Sequence, residues 1–228
     1  MIGIFDSGVG GLCSLKEYRR LIPRESIVYL GDRKNAPYGT KSKKEVIDLA
    51  KRNVRVLREM GAERILIACC TASSVYRYLN ADEKAIVFPI IAPAALEAAR
   101  IGNRITVIST EHTASSHVFK EEIRRISSDA DVTELAAQQL VAMVERGARD
   151  GNLTENEGKL LDSLATRIIA LSPKALILGC THFSHLEGEI AKRVYPTVIV
   201  NAAKLGARAL ANERRSVISE RRGRLTFM

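Results

Sequence analysis

Short apolar runs alternate with longer amphipathic segments along most of the 228-residue chain, and no other feature narrows the fold as much. Residues 2–5, 27–30, 64–68 and 86–88 read as buried strands, with helices over 9–21, over 43–60 and from about Thr71. In the helix over 43–60, Val46, Ala50, Val54 and Leu57 form one stripe at spacings of three and four. The pattern then starts again. Residues 104–108, 175–178 and 198–200 read as strands. Residues 113–126, 138–149, 183–194 and a stretch from about Lys204 read as helices, and a last strand falls near Leu225. Thr154 and Glu157 form a capping box ahead of a helix that carries Leu161, Leu164, Ile168 and Leu171. Strands alternating with helices build parallel sheets covered on both faces. Ligands of such sheets bind beyond the carboxyl ends of the strands, so the informative residues should lie just after the apolar runs.

Two of those strand ends echo each other. Arg64-Ile65-Leu66-Ile67-Ala68-Cys69-Cys70-Thr71 resembles Lys174-Ala175-Leu176-Ile177-Leu178-Gly179-Cys180-Thr181. We therefore expect two similar α/β domains with parallel-type central sheets flanked by helices and an active site in the cleft between them. The first would take residues 1–91 plus 201–228, and the second residues 92–200. A thiol between a strand end and a helix start sits near backbone N–H groups that favour thiolate. One such thiol suits a hydrolase nucleophile, which would leave the second unexplained. Two at equivalent places suit proton transfer on both faces of one carbon, one thiol as base and the other as acid. A zinc site needs spaced ligand pairs, and adjacent Cys69-Cys70 lacks the spacer. Cys13, inside a helix, reads as a core residue.

Composition excludes several other classes. No run of about 18 apolar residues is present, so no membrane span or membrane partner is expected. The opening Met1-Ile2-Gly3-Ile4-Phe5-Asp6 lacks the features of a signal peptide, which makes a cytoplasmic location the default. Four cysteines there argue for free thiols over a disulfide framework. The formal net charge is +9, with Arg214, Arg215, Arg221, Arg222 and Arg224 clustered late. Few aromatics accompany them for base stacking, so nucleic acid is not expected as a partner.

Two further segments follow strand ends. Phe5-Asp6-Ser7-Gly8-Val9-Gly10-Gly11 is a glycine-rich turn into a helix, where backbone can approach an anionic ligand closely. It matches neither the dinucleotide fingerprint nor the Walker pattern. Asp6 there reads either as a turn carboxylate or as a partner of a thiol or of a substrate ammonium. Ala36-Pro37-Tyr38-Gly39-Thr40 reads either as a surface turn or as a wall whose N–H groups and Tyr38 hydroxyl hold a carboxylate.

These segments, with Tyr29-Leu30-Gly31-Asp32, Thr71-Ala72-Ser73 and Leu178-Gly179-Cys180-Thr181-His182-Phe183, agree in order and spacing with one family. The chain resembles the glutamate racemases, of the aspartate/glutamate racemase superfamily. That resemblance implies a cofactor-independent isomerase, without pyridoxal phosphate or metal, that interconverts L- and D-glutamate for peptidoglycan and the cell wall. It implies Cys69 and Cys180 as the acid/base thiols, supported by Asp6, His182 and Glu145. Asp6, Ser7, Pro37, Tyr38, Gly39, Cys70, Thr71, Thr113, Thr181 and His182 would contact the small-molecule substrate. Homodimers are compatible with the family. His112, His117 and His185 are left as surface or packing residues.

The sequence departs from the family at Cys70, where an asparagine is usual. Family spacing favours Cys69 as the first thiol, whereas the internal echo favours Cys70. Loss of an amide contact would weaken carboxylate binding by on the order of 1.5–3 kcal/mol. The segment Ala136-Ala137-Gln138-Gln139-Leu140 also lacks the family's proline, and Asn201-Ala202 replaces an aspartate-serine pair. Two alternatives follow. One is a racemase for another acidic amino acid such as aspartate, and the other is a weakly catalytic paralogue that acts as a binding protein.

Overall fold

The computed structural model describes residues 1–215 and 225–228. Arg221, Arg222 and Arg224 lie outside the described residues. The elements in chain order are β1 (Ile2–Asp6), α1 (Leu12–Leu21), β2 (Ile27–Gly31), α2 (Lys43–Glu59), β3 (Arg64–Ile67), α3 (Cys70–Ser74), α4 (Ala81–Ile86), β4 (Val87–Pro89) and α5 (Ile91–Ile101). Then come β5 (Arg104–Ser109), α6 (Glu111–Ser116), α7 (Val118–Ile126), β6 (Asp131–Ala136), α8 (Gln139–Glu145), α9 (Glu155–Ala170), β7 (Ala175–Gly179), α10 (Glu187–Val194), β8 (Val198–Asn201), α11 (Ala202–Arg214) and β9 (Leu225–Phe227).

All strand pairings are parallel, and they make two sheets. The first has the order β4-β3-β1-β2-β9 and the second β6-β5-β7-β8. Each sheet is built alike. Its first strand is flanked by its second and third, and its fourth lies outside the third. Cys69 follows the third strand of one sheet and Cys180 the third strand of the other. The resemblance between the two sequence segments is thus a correspondence of position in two similar α/β units with helices packed on their sheets.

Local sequence explains most elements. In α2, Ser42 accepts from the Glu45 backbone while the Glu45 carboxylate accepts from Ser42. Val46, Ala50, Val54 and Leu57 are fully buried against the first sheet, each larger side chain adding roughly 1.5–3 kcal/mol. The capping box at Thr154 and Glu157 is present at the start of α9. Where α11 crosses α5, Gly206 is required. A Cβ there would lie 2.3 Å from Ile90 Cγ2 and 3.0 Å from Ile90 Cα.

Four expectations need correction. The helix over 113–126 is broken at His117, whose positive φ of 53° ends α6 and starts α7. The helix over 138–149 stops at Glu145, and Arg149 pairs instead with Asn152. The first turns of the helix over 183–194 are a 3-10 stretch, Thr181–Leu186. The helix over 9–21 begins only at Leu12, because its glycine-rich start is spent on a turn against the other unit. Three elements were not assigned from the sequence: β6, with only Val132 buried within it, the alanine-rich α5, and the short α4.

Candidate active site

The carboxyl ends of both sheets open onto one cavity of about 470 Å³. Ser7 follows β1, Cys69 to Thr71 follow β3, Thr110 and Glu111 follow β5, and Cys180 to His182 follow β7. The cavity is lined by Ser7, Ala36, Pro37, Tyr38, Gly39, Cys69, Cys70, Thr71, Thr110, Glu111, Gln138, Gln139, Val141, Ala142, Glu145, Cys180, Thr181 and His182. Asp6 and Thr113, also expected at the site, stand one layer behind this wall. Ala36, Thr110, Glu111, Gln138, Gln139, Val141 and Ala142 were not foreseen. Thr110 and Gln138 each directly follow or closely trail a strand end, which was the available signal; Val141 and Ala142 offered none.

The two thiols have different surroundings. Cys69 caps α3, its sulfur accepting from the Ala72 N–H at 3.5 Å and its thiol donating to Ser7 Oγ at 3.7 Å. Cys70 enters the helix itself and packs into the apolar core that contains Leu66 and Ile91, although it also borders the cavity. Cys69 and Cys180 are therefore the residues at matching positions, each just ahead of a helical turn. Cys180 Sγ lies 3.8 Å from His182 Nδ1. His182 Nε2 lies 2.5 Å from Glu145 Oε1, in a contact between the 3-10 stretch and α8.

Nearby backbone N–H groups do not make these thiols acidic. Burial pushes the Cys69 thiol up to about 11, and the charge of Asp6 adds to that; the Ala72 and Ser7 hydrogen bonds pull the other way and lose. Burial also raises Cys180 strongly, against hydrogen bonds from the His182 and Phe183 backbones. Cys70 is raised well above the usual thiol range for the same reason. The helix start, expected to favour thiolate, is outweighed at both positions by desolvation.

Asp6 is fully buried with both oxygens engaged. Oδ2 accepts from Gly8 N at 2.9 Å, and Oδ1 accepts from Thr181 Oγ1 of the other unit at 3.1 Å. The glycine turn presses directly on that segment. A Cβ at Gly10 would lie 2.5 Å from Thr181 Oγ1 and 2.8 Å from His182 Nδ1. Tyr38 differs from expectation. Its hydroxyl donates to Asp32 Oδ2 at 2.5 Å and accepts from Asn53 at 2.9 Å, so its one proton is not free for a carboxylate in the cavity. Burial opposes the charge on Asp32, yet hydrogen bonds from Tyr38, Asn35 and Asn53 and the Arg52 guanidinium hold it below the usual carboxylate range.

Three hydroxyls close the far side. Thr71 Oγ1 lies 2.9 Å from Thr110 Oγ1 and 3.1 Å from Thr113 Oγ1, and the last two are 2.9 Å apart. Thr71 belongs to the first unit and the other two to the second. His112, read from the sequence as a surface or packing residue, also spans the seam, with Nδ1 2.9 Å from the Lys41 carbonyl. Among the described residues no Lys or Arg lines the cavity. Among the described residues no cluster of three or more His, Cys, Asp or Glu is placed to hold a metal ion, and no helix is long and apolar enough to cross a membrane.

A family model described as Asp/Glu/Hydantoin racemase matches residues 16–210. The chain belongs to that family. Among curated members, the glutamate racemase of Gloeothece citriformis is 33% identical over 198 residues, covering 86% of this chain and 70% of the relative. The glutamate racemase of Limosilactobacillus reuteri is 35% identical over 195 residues, covering 85% and 72%. Among solved members, glutamate racemase isoform RacE1 from Bacillus anthracis superposes with a TM-score of 0.91 at 28% identity, covering all of this chain and 87% of that one. The Francisella tularensis glutamate racemase, solved in complex with D-glutamate, gives 0.88 at 26% identity, covering 99% and 87%. An aspartate racemase from Picrophilus torridus shares the fold, with a TM-score of 0.64 at 18% identity.

Proposed function

We propose that the protein interconverts L- and D-glutamate by a two-base mechanism in which Cys69 and Cys180 act from opposite sides of the substrate Cα. One observation carries this reading: two thiols at equivalent positions of two similar units border a single cavity. A thiolate on one side takes the Cα proton, and the thiol on the other side gives its proton to the opposite face. The reverse reaction exchanges the roles. No net proton is gained or lost.

Since burial keeps both thiols neutral in the free protein, the substrate itself has to promote ionisation. Its ammonium group brings positive charge into a cavity whose own charged neighbours are Glu145, Glu111 and Asp6, and so favours a thiolate. On the Cys180 side, Glu145 accepts the Nε2 proton of His182, which leaves Nδ1 as the lone pair facing the sulfur. His182 then takes the thiol proton, and its charge stabilises the thiolate. On the Cys69 side, Ser7 and the Ala72 N–H stabilise the thiolate that remains once Cys69 has given its proton to Cα, and that thiolate is the base for the reverse direction. The carboxylates would be held by hydroxyls and backbone N–H groups, with Ser7, Thr71, Thr110 and Thr181 in reach, because the cavity offers no cation. D-glutamate made this way would supply peptidoglycan synthesis. We place the reaction in the cytoplasm, the compartment in which four free cysteines stay reduced.

The test is incubation of purified protein with L- or D-glutamate in deuterated water, with enantiomers separated by chiral chromatography. Both directions should turn over, with deuterium at Cα of the product. Turnover of aspartate instead would transfer the reading to another acidic substrate. Absence of Cα exchange with either would reject it.

A further inference from the structure

Much of the excess positive charge falls on the loop after β2 and on α2, which itself carries six Lys and Arg against Glu45, Asp48 and Glu59. Residues 33–58 carry nine Lys and Arg against two Asp and Glu, a net +7 in a chain whose total is +9. Within α2, Lys44, Lys51, Arg55 and Arg58 recur at spacings of seven, four and three. At 3.6 residues per turn they fall within about 60° of arc and span about 21 Å of axis. The stripe lies away from Val46, Ala50, Val54 and Leu57, which face the sheet. Lys44, Arg55 and Arg58 are exposed and Lys51 is half-buried. Among the described residues none of the four has an ion pair. Arg52, on the flank, is different, since it holds Asp32 at 3.0 Å. Arg33 and Lys34, next to Asp32 in sequence, are also exposed.

We infer that this face of α2 binds double-stranded DNA through its phosphate backbone. The composition of the face selects among polyanions. An anionic membrane surface would call for apolar anchors beside the cations, and none of the exposed large apolar side chains lies on α2. A single strand would call for aromatic platforms, and a protein interface for an apolar centre; the helix presents neither. A duplex backbone asks only for cations in a row, and it offers about one charge per 1.7 Å of axis. The sequence pointed to the late arginines and away from nucleic acid. The folded chain instead arranges an unpaired basic row on a well-capped helix. None of the four residues lines the catalytic cavity, so the surface is independent of the racemase reading.

The experiment measures anisotropy of a labelled duplex of about 20 base pairs with full-length protein, from about 50 to about 200 mM salt. Four phosphate contacts predict a slope of log affinity on log salt near about −3.6, or roughly 150-fold weaker binding across that range. Changing Lys44, Lys51, Arg55 and Arg58 together to Gln should abolish the salt-dependent binding while racemase activity stays as in the parent. Each single change, a milder perturbation of the fold, should reduce the slope by about 0.9. The inference is overturned by no binding at the lowest salt, or by binding that survives all four changes. It is equally overturned by binding lost only when Arg221, Arg222 and Arg224 are changed to Gln, or by preference for phosphatidylserine vesicles over the duplex. Failure of the glutamate assay would leave these outcomes unaffected.

Discussion

Cys69, Cys70 and Cys180 are all buried cysteines near a strand end, yet they differ in what they touch. Cys69 and Cys180 sit just ahead of a helical turn, while Cys70 is inside one with its sulfur in the core. Sequence spacing alone left two candidates for the first thiol; the proposal takes Cys69, whose sulfur caps α3 at the Ala72 N–H. The pKa of Cys69 was not legible, because the balance between a helix start and burial depends on side chains from both units. At residue scale two outcomes follow. Ser at Cys69 or Cys180 should lower kcat by roughly 10²–10⁴, the usual worth of a positioned acid or base. Ser at Cys70 should mainly alter KM, as read by chiral chromatography across substrate concentration. The raised Cys69 value also fixes a pH dependence. An unfolded thiol ionises near 9.0 and the folded one near about 11. The stabilising effect of keeping it neutral is complete below pH 9.0 and is lost as pH rises to about 11, at about 1.4 kcal/mol per unit. Alkylation of Cys69 by iodoacetamide, followed by mass spectrometry, should accelerate up to that pH. A plateau below about pH 8 would contradict the burial argument.

At the scale of elements, the loop between β2 and α2 shows how a strand end reaches the cavity indirectly. Asp32, just past β2, holds Tyr38 and Asn35 and is itself held by Arg52 of α2. The loop is thereby fixed with Pro37 and Gly39 at the cavity wall. The sequence marked this segment but assigned the hydroxyl of Tyr38 to substrate, since nothing in a turn motif reveals that an aspartate six residues earlier takes its proton. Phe at Tyr38 should leave Asp32 and Asn53 short of a partner and cost roughly 1–3 kcal/mol. Thermal unfolding should register this as a lower Tm, accompanied by a higher KM because the wall loosens. The helix break at His117 was likewise hidden, because nothing in the periodicity marks a histidine with positive φ, whereas the end of α8 is set by Gly147, whose N–H bonds to the Val144 carbonyl while Ala148 N–H bonds to that of Met143.

At the scale of the molecule, the alternation of apolar runs made the two parallel sheets legible, and the repeated Cys-Thr ends indicated that they are alike. What the sequence could not convey is how closely the helices covering the sheets approach one another. One such approach is that of α11 on α5 at Gly206, where a side chain has no room. Ala at Gly206 should overpack this crossing and destabilise by about 1–3 kcal/mol or more. Calorimetry should show the lowered Tm, with kcat retained at temperatures where the variant is folded, since Gly206 lies outside the cavity wall. The triad of Thr71, Thr110 and Thr113 also joins the units, and it behaves unlike an ion pair. Three mutually bonded hydroxyls have two senses of circulation for their protons, clockwise and anticlockwise. The three donors are turned on one another. If the proposed substrate carboxylate draws one O–H out of the ring, the other two re-order by torsion alone, with every heavy atom in place. The cavity thus stores a donor in latent form, and recruiting it requires neither a loop to be ordered nor a buried charge to be uncovered.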